Sequence, residues 1–253
     1  MKKGLCITLV FLICMLTAAC GAPASQQAAT PAPTATPAPT PAPTPEPVIV
    51  FTDTVLEGLI RKAMNKPQGD ITIAEAKAVT ELNLEMEGGV PIPRVADISD
   101  LKQFPNLTML RLNWAFNDNN TNDISALSGM TKLERLYLCC DGIVDITPLK
   151  GMVHLKDLWI WGNRNITDIS ALSGMTGLES LWIKGNQITD ISALSGMKEL
   201  TYLCMEENQI ADITPLSGLS KLKTLLLSKN PIKDFSPVKD IYPNLEEKDF
   251  ELK

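Results

Sequence analysis

A stretch of about 22 residues recurs along most of this chain, and a repeat of that length constrains the fold more than any other signal. LESLWIKGNQITDISALSGM, Leu178 to Met197, has close copies on both sides, with ITDISALSGM at Ile166 and Ile188 and DISALSGM at Asp123. Looser versions begin at Asp145, Asp212 and Asp234. Aligned on the first leucine, LxxLxL recurs from Leu107, Leu133, Leu155, Leu178, Leu200 and Leu222, with Ile160, Ile183 and Met205 as the third apolar residue in three copies. The ninth position is Asn163, Asn186, Asn208 and Asn230 in four copies, but Ala115 in the first and Asp141 in the second.

Side chains alternate along a strand, so LxxLxL sends its second and third apolar residues one way and the residues between them the other. One unit cannot cover that apolar face by itself. Units stacked through parallel pairing can, because their inward leucines join into one core. The ninth-position amide falls where the chain leaves the strand and can bond backbone groups that the turn leaves unpaired. DI[ST]xL is too short for an ordinary helix, so each return limb is expected to be a single 3₁₀-like turn, with Asp and Ser or Thr bonding local backbone.

The pattern LxxLxLxxNxIxDIxxLxxL resembles the short repeat of internalin-like bacterial leucine-rich-repeat proteins, over roughly Leu107 to Leu245. The resemblance implies an α/β right-handed solenoid, with short parallel strands on the concave face, 3₁₀ or short turns on the convex face and a small N-terminal helical cap. It implies a binding module and favours a protein ligand.

Met1 to Cys20 has the form of a secretory signal: Lys2 and Lys3, an apolar run, then Ala18 and Ala19. TAAC before Gly21 resembles a bacterial lipobox, with Thr17 where that motif usually has Leu. The match implies that Cys20 becomes the lipidated N-terminus, anchoring the protein on the extracytoplasmic side of the cell membrane. Residues 21–47 contain little besides Pro, Ala, Thr, Gln and Ser, which cannot build a core. At about 3.1 Å per residue this tether could approach roughly 80 Å.

Residues 48–87 read as a helical cap and first strand. Phe51, Val55, Leu59 and Ile60 have helical spacing after Asp53, a candidate N-cap. Pro67 and Gly69 end that helix, TIAE from Thr72 opens a second through a capping box, and VTELNL from Val79 is a degenerate strand. Such a cap covers the open end of the core. Residues 88–253 form the repeat domain, closed by an incomplete last strand between Leu245 and Leu252.

The formal charge of −6 speaks against nucleic acid, whose phosphates want a basic face. No catalytic set emerges, because the single histidine, His154, has no local partner. The acidic tract Asp118, Asn120, Asn122, Asp123 lacks the mid-loop glycine of a calcium loop and reads as solvated. Cys139 and Cys204 lie three strands apart, about 14 Å at sheet spacing and too far for a disulfide. A bridge from Cys139 to Cys140 would be strained, so free thiols are expected. Neither a metal nor a cofactor is expected.

Alternation places Met109, Arg111, Asn113, Arg135, Tyr137, Cys139, Asp157, Trp159, Trp161, Ser180, Trp182, Lys184, Tyr202, Cys204, Glu206, Thr224, Leu226 and Ser228 on the outward face of the strands. Three of the chain's four tryptophans and two of its three tyrosines are among them, which is too concentrated to ignore. The candidate binding residues are therefore Tyr137, Trp159, Trp161, Trp182 and Tyr202, rimmed by Arg111, Arg135, Asp157, Lys184, Glu206 and Glu207. Two functions follow: a protein-binding module, or a cell-envelope protein that binds carbohydrate or acts as a spacer. Stacking that merely stabilises the sheet is the plainer alternative for the rings.

Overall fold

The computed structural model describes residues 46–85, 95–112, 123–139 and 142–252. Outside them lie the signal with Cys20, nearly all of the tether, the join at 88–94, Asn113, Ala115, the tract from Asp118 to Asn122, Cys140 and Asp141.

Among the described residues, eight strands form one parallel sheet in chain order. They are β1 (Glu81–Asn83), β2 (Met109–Arg111), β3 (Arg135–Tyr137), β4 (Asp157–Trp159), β5 (Ser180–Trp182), β6 (Tyr202–Cys204), β7 (Thr224–Leu226) and β8 (Glu247–Lys248). Each strand pairs with the next without slippage, so Leu82, Leu110, Leu136, Leu158, Leu181, Leu203 and Leu225 form one inward row. All seven are fully buried. A second row, Leu84, Leu112, Leu138, Ile160, Ile183, Met205 and Leu227, lies just beyond the strand ends and is at most 2% exposed. At about 1.5–3 kcal/mol for each buried aliphatic side chain, these rows dominate the favourable side of folding.

The return limbs are three-residue 3₁₀ turns such as Ser125–Leu127, Thr147–Leu149, Ser170–Leu172, Ser192–Leu194 and Thr214–Leu216. Each is started by the preceding aspartate, whose Oδ1 accepts the backbone N–H two residues on. Asp123 takes Ser125 at 2.7 Å, Asp168 takes Ser170 at 2.7 Å, and Asp190 takes Ser192 at 2.8 Å. The carboxylate supplies the local acceptor that so short a turn otherwise lacks.

On the other side of the strands the asparagines form a ladder. Asn208 is the full case: its Nδ2 donates to Met205 O and to Ile183 O of the preceding coil, both at 3.0 Å, and its Oδ1 accepts Ile188 N–H at 3.1 Å. Asn163 and Asn230 repeat this arrangement with Leu138 and Ile160, and with Met205 and Leu227. Buried backbone groups between coils are thereby satisfied.

Two helices precede the sheet, α1 (Thr54–Ala63) and α2 (Ile73–Ala78). Asp53 caps α1 through Oδ1, which accepts from Val55 and Leu56, while Oδ2 accepts from Ala96 at 2.7 Å and Asp97 at 3.2 Å. A single carboxylate thus starts the helix and fixes the coil that packs against it. Thr72 and Glu75 form a reciprocal capping box on α2. Within α1 the fully buried residues are Leu56 and Ile60, with Val55 and Leu59 only partly covered, so the core-facing stripe is narrower than the apolar spacing suggested.

Asn208→Ala should strand the buried Ile188 N–H and take from Ile183 O and Met205 O one of the two asparagine donors that each has, at a cost of about 2–3 kcal/mol. Asn186→Ala should cost about 1 kcal/mol less, because Asn186 Oδ1 has no hydrogen-bond partner among the described residues. Urea unfolding of the two variants side by side measures the difference, and equal midpoints would contradict the ladder's energetics.

Candidate functional site

The parallel register that aligns the leucines also aligns what stands on the opposite side of the strands. Tyr137, Trp159 and Trp182 are consecutive register partners on β3, β4 and β5. Tyr137 meets Trp159 edge-on, with ring centroids 5.1 Å apart and planes at 88°. Trp159 stacks on Trp182 at 4.7 Å and 28°, and Trp182 stacks on Tyr202 at 4.8 Å and 4°. Tyr202 is not Trp182's register partner. That position belongs to Cys204, so the ladder of rings steps diagonally by two residues as it reaches β6.

The polar tips divide the ladder into two ends. At the β3 and β4 end every tip is committed. Tyr137 Oη donates to Asp157 Oδ2 at 2.8 Å, and Trp159 Nε1–H donates to Asp157 Oδ1 at 2.7 Å. Arg111 lies over the Tyr137 ring, 4.5 Å from its centroid, and also pairs with Glu85; Arg135 pairs with Glu81 at 2.7 Å. At the β5 and β6 end, neither Trp182 Nε1–H nor Tyr202 Oη has a hydrogen-bond partner among the described residues. Burial pushes the Tyr202 phenol up to about 12, with neighbouring Cys204 and the carboxylates of Glu247 and Glu206 adding to the effect, so it remains a donor across the working range.

Beside the ladder, Lys184 Nζ lies 3.0 Å from Glu206 and 3.6 Å from Glu207. Ser228 Oγ donates to Glu206 Oε1 at 2.8 Å. Burial raises the Glu206 pKa, but hydrogen bonds from Lys184, Ser228 and Cys204 outweigh it and hold the carboxylate below its ordinary value. The same pairing lifts Lys184. Trp161 is half-buried and stands apart from the ring ladder, next to Lys184.

Three side chains expected to face solvent do not. Tyr137 is only 7% exposed, enclosed by Arg111, Trp159 and Asp157. Cys139 is fully buried beside the Trp159 carbonyl, and Cys204 is 1% exposed between its larger register partners Trp182 and Leu226. Alternation gives direction but not depth, and large neighbours close over small ones. Neither cysteine is in a disulfide. Spacing places Asp157 at the rim, but it holds the rings themselves. It stands two positions before Trp159 on the same face, and only the coordinates reveal that it serves two rings at once.

Residues 131–174, 153–196, 176–218 and 198–240 each match the family model described as leucine rich repeats in two copies. Among solved structures, an internalin (inlF) from Listeria monocytogenes is 33% identical with a TM-score of 0.71, covering 83% of this chain and 59% of that one. Internalin C2 from the same organism is 29% identical with a TM-score of 0.65, covering 79% of this chain and 94% of that one. The ectodomain of the receptor kinase GASSHO1/SCHENGEN3 from Arabidopsis thaliana, in complex with CASPARIAN STRIP INTEGRITY FACTOR 2, has 22% identity and a TM-score of 0.53, over 60% of this chain and 19% of that one. That likeness is one of fold alone. No curated protein matches by sequence. The chain is a leucine-rich-repeat protein. Within that class it is internalin-like, spanning 59% of the length of the first of these internalins.

Burial, with the neighbouring Glu206 adding to it, also pushes the Cys204 thiol up to about 12, although the Glu206 backbone N–H and Lys184 pull the other way. The thiolate that reacts with alkylating agents is therefore scarce at neutral pH. In native protein treated with iodoacetamide at pH 8, the peptide containing Cys204 should stay unmodified, becoming labelled only in denaturant. Rapid native labelling, mapped by mass spectrometry, would contradict the buried position.

Proposed function

We propose that this protein is a lipid-anchored, extracytoplasmic binding module that holds a protein ligand against the ring edges and free polar tips of Trp182 and Tyr202, with Trp159, Tyr137 and Arg111 as the rigid backing. The observation that carries this reading is the asymmetry of the ladder. Half of it is closed by Asp157, while the other half keeps two donors beside half-exposed rings. Buried or half-buried Trp and Tyr tips ordinarily find a partner, and rigid aromatics with open tips are common anchors of protein interfaces. Lys184, Glu206 and Arg135 form the polar rim.

The stacking also favours protein over glycan. A sugar ring lies flat on an aromatic face, but Trp182 has Trp159 on one side at 4.7 Å and Tyr202 on the other at 4.8 Å. Such a stack offers edges, which suit side chains and peptide groups better than pyranose faces. The leucine-rich-repeat class points the same way.

The anchor rests on the sequence: Lys2 and Lys3, the apolar run and Cys20 of the lipobox-like TAAC. No helix among the described residues is long and apolar enough to cross a membrane. Residues 21–47 would then hold the repeats away from the bilayer, with residues 48–87 capping the core and 88–253 carrying the recognition face. Cys20→Ser should shift the chain from the membrane fraction to the soluble one. A Cys20→Ser chain that still sediments with membranes would reject acylation as the anchor.

Immobilised full-length chain should retain a specific protein from extracellular extracts, identified by mass spectrometry. Trp182→Ala should weaken that interaction by about 30-fold, as loss of a central aromatic anchor does. Tyr137→Phe, whose hydroxyl serves only Asp157, should change it less than about twofold. Equal retention by wild type and Trp182→Ala, at matching circular dichroism, rejects this face. Retention on a glycan panel that Trp182→Ala abolishes would instead support carbohydrate recognition.

A further inference from the structure

The coil joining β4 to β5 is one residue longer than the β5 to β6 and β6 to β7 coils that follow it. Asn186 and Asn208 are 22 residues apart, as are Asn208 and Asn230, whereas Asn163 and Asn186 are 23 apart. In the regular coils, the N–H two residues after one ladder asparagine donates to Oδ1 of the next. Ile188 reaches Asn208 at 3.1 Å and Ile210 reaches Asn230 at 3.0 Å. The extra residue at Arg164-Asn165 moves Ile166 one place further on, and Asn186 Oδ1, on a side chain only 6% exposed, is left without a hydrogen bond. Arg164 itself takes φ +66°, a left-handed conformation unusual for a side chain without glycine's freedom. An orphaned buried acceptor and a strained backbone both cost stability, and local departures of this kind concentrate at functional sites.

The longer coil borders a groove of about 480 Å³ lined by Trp161, Gly162, Arg164, Lys184, Gly185 and Glu207, with Asn186 beneath. Its floor is bare for a local reason. The residue before each ladder asparagine is left-handed, and in these two coils it is glycine, Gly162 at φ +74° and Gly185 at φ +70°. In the next two coils the same position is Glu207 and Lys229, which hold each other through an ion pair of 2.7 Å. Two missing side chains give the groove its depth, and Trp161 and Arg164 remain at its border.

Its charges are unequally committed. Lys184 is held by Glu206 and Glu207, and Glu207 also by Lys229. Among the described arginines, Arg61 pairs with Glu57, Arg111 with Glu85 and Arg135 with Glu81, while Arg164 makes no ion pair. Nor does the Trp161 indole N–H have a hydrogen-bond partner among the described residues. In a chain of net charge −6, the groove thus offers a planar guanidinium fork, an indole donor and an apolar ring, and its one carboxylate is already paired.

We propose that the groove between Trp161 and Arg164 is a subsite for a carboxylate, the acidic side chain of an Asp or Glu on the protein ligand. The guanidinium supplies bidentate hydrogen bonds and the Trp161 ring packs against the methylene stem. The subsite rests on the reading that this face of the sheet binds a protein, and it lies beside the ring ladder rather than on it.

The test uses the full-length chain with ¹⁵N-labelled tryptophan and follows the Trp161 indole resonance, assigned with Trp161→Phe. Titration with N-acetyl-glutamate α-amide should shift that resonance saturably, on the order of millimolar affinity for so small a probe. The N-acetyl-glutamine amide, which lacks the charge, should bind roughly tenfold more weakly, as should the first probe to Arg164→Gln. Deleting Asn165 restores the 22-residue spacing; it should abolish the shift while raising Tm by about 2–4 °C as Asn186 regains its partner. No saturable shift, equal response to the two amides, or an unchanged response in Arg164→Gln would overturn the subsite. Tighter binding of glucuronate than of the glutamate probe would also overturn it, in favour of an acidic sugar. If the titration fails while protein capture still depends on Trp182, the subsite alone falls; the reverse outcome removes the ring-edge reading and leaves the subsite.

Discussion

A three-residue parallel strand cannot cover its own apolar side chains, and everything else in this protein follows from how that deficit is met. Each strand borrows its cover from the next coil, and each coil's backbone groups find partners in its neighbours. Because the pairing is in register from β1 to β7, one residue position becomes one row along the sheet. The inward rows make a continuous spine of Leu, Ile and Met. The turns on one flank are held by aspartates acting on their own backbone, and those on the other by asparagines that bond across coils.

The same register builds the aromatic face proposed for recognition. A Tyr or Trp at the third strand position of three consecutive coils is brought close enough to its neighbour to stack, without any further instruction from the sequence. Stacking then has a chemical consequence. It conceals ring faces and turns edges outward, so a surface rich in indole behaves unlike an open aromatic platform. Asp157 adds a second asymmetry by closing two polar tips at one end, and the opposite end is left with its donors available.

Departures from the repeat are as informative as the repeat. Glu207 and Lys229 occupy a left-handed position that Gly162 and Gly185 fill elsewhere, and their mutual ion pair sits where two glycines would leave bare backbone. The single added residue at Arg164-Asn165 leaves one ladder bond unmade and borders a groove lined by an unpaired guanidinium. At the N-terminal end, Asp53 joins helix and solenoid by using both carboxylate oxygens, one for the cap and one for the incoming coil.

Periodicity alone determined the parallel sheet, the inward leucines, the 3₁₀ returns and the asparagine ladder, because each is a local pattern whose repetition leaves few ways to bury its apolar side. It also determined which side chains point away from the core. Only the tertiary structure decided how deep those side chains lie and what they touch. Tyr137, Cys139 and Cys204 point outward yet are covered, the ring ladder leaves its own column to reach Tyr202, and Asp157 rather than a rim arginine organises the polar tips. Direction is a property of one strand and follows from alternation. Depth and partnership depend on the sizes of side chains in neighbouring coils, about 22 residues away in the chain and about 4.8 Å away in space.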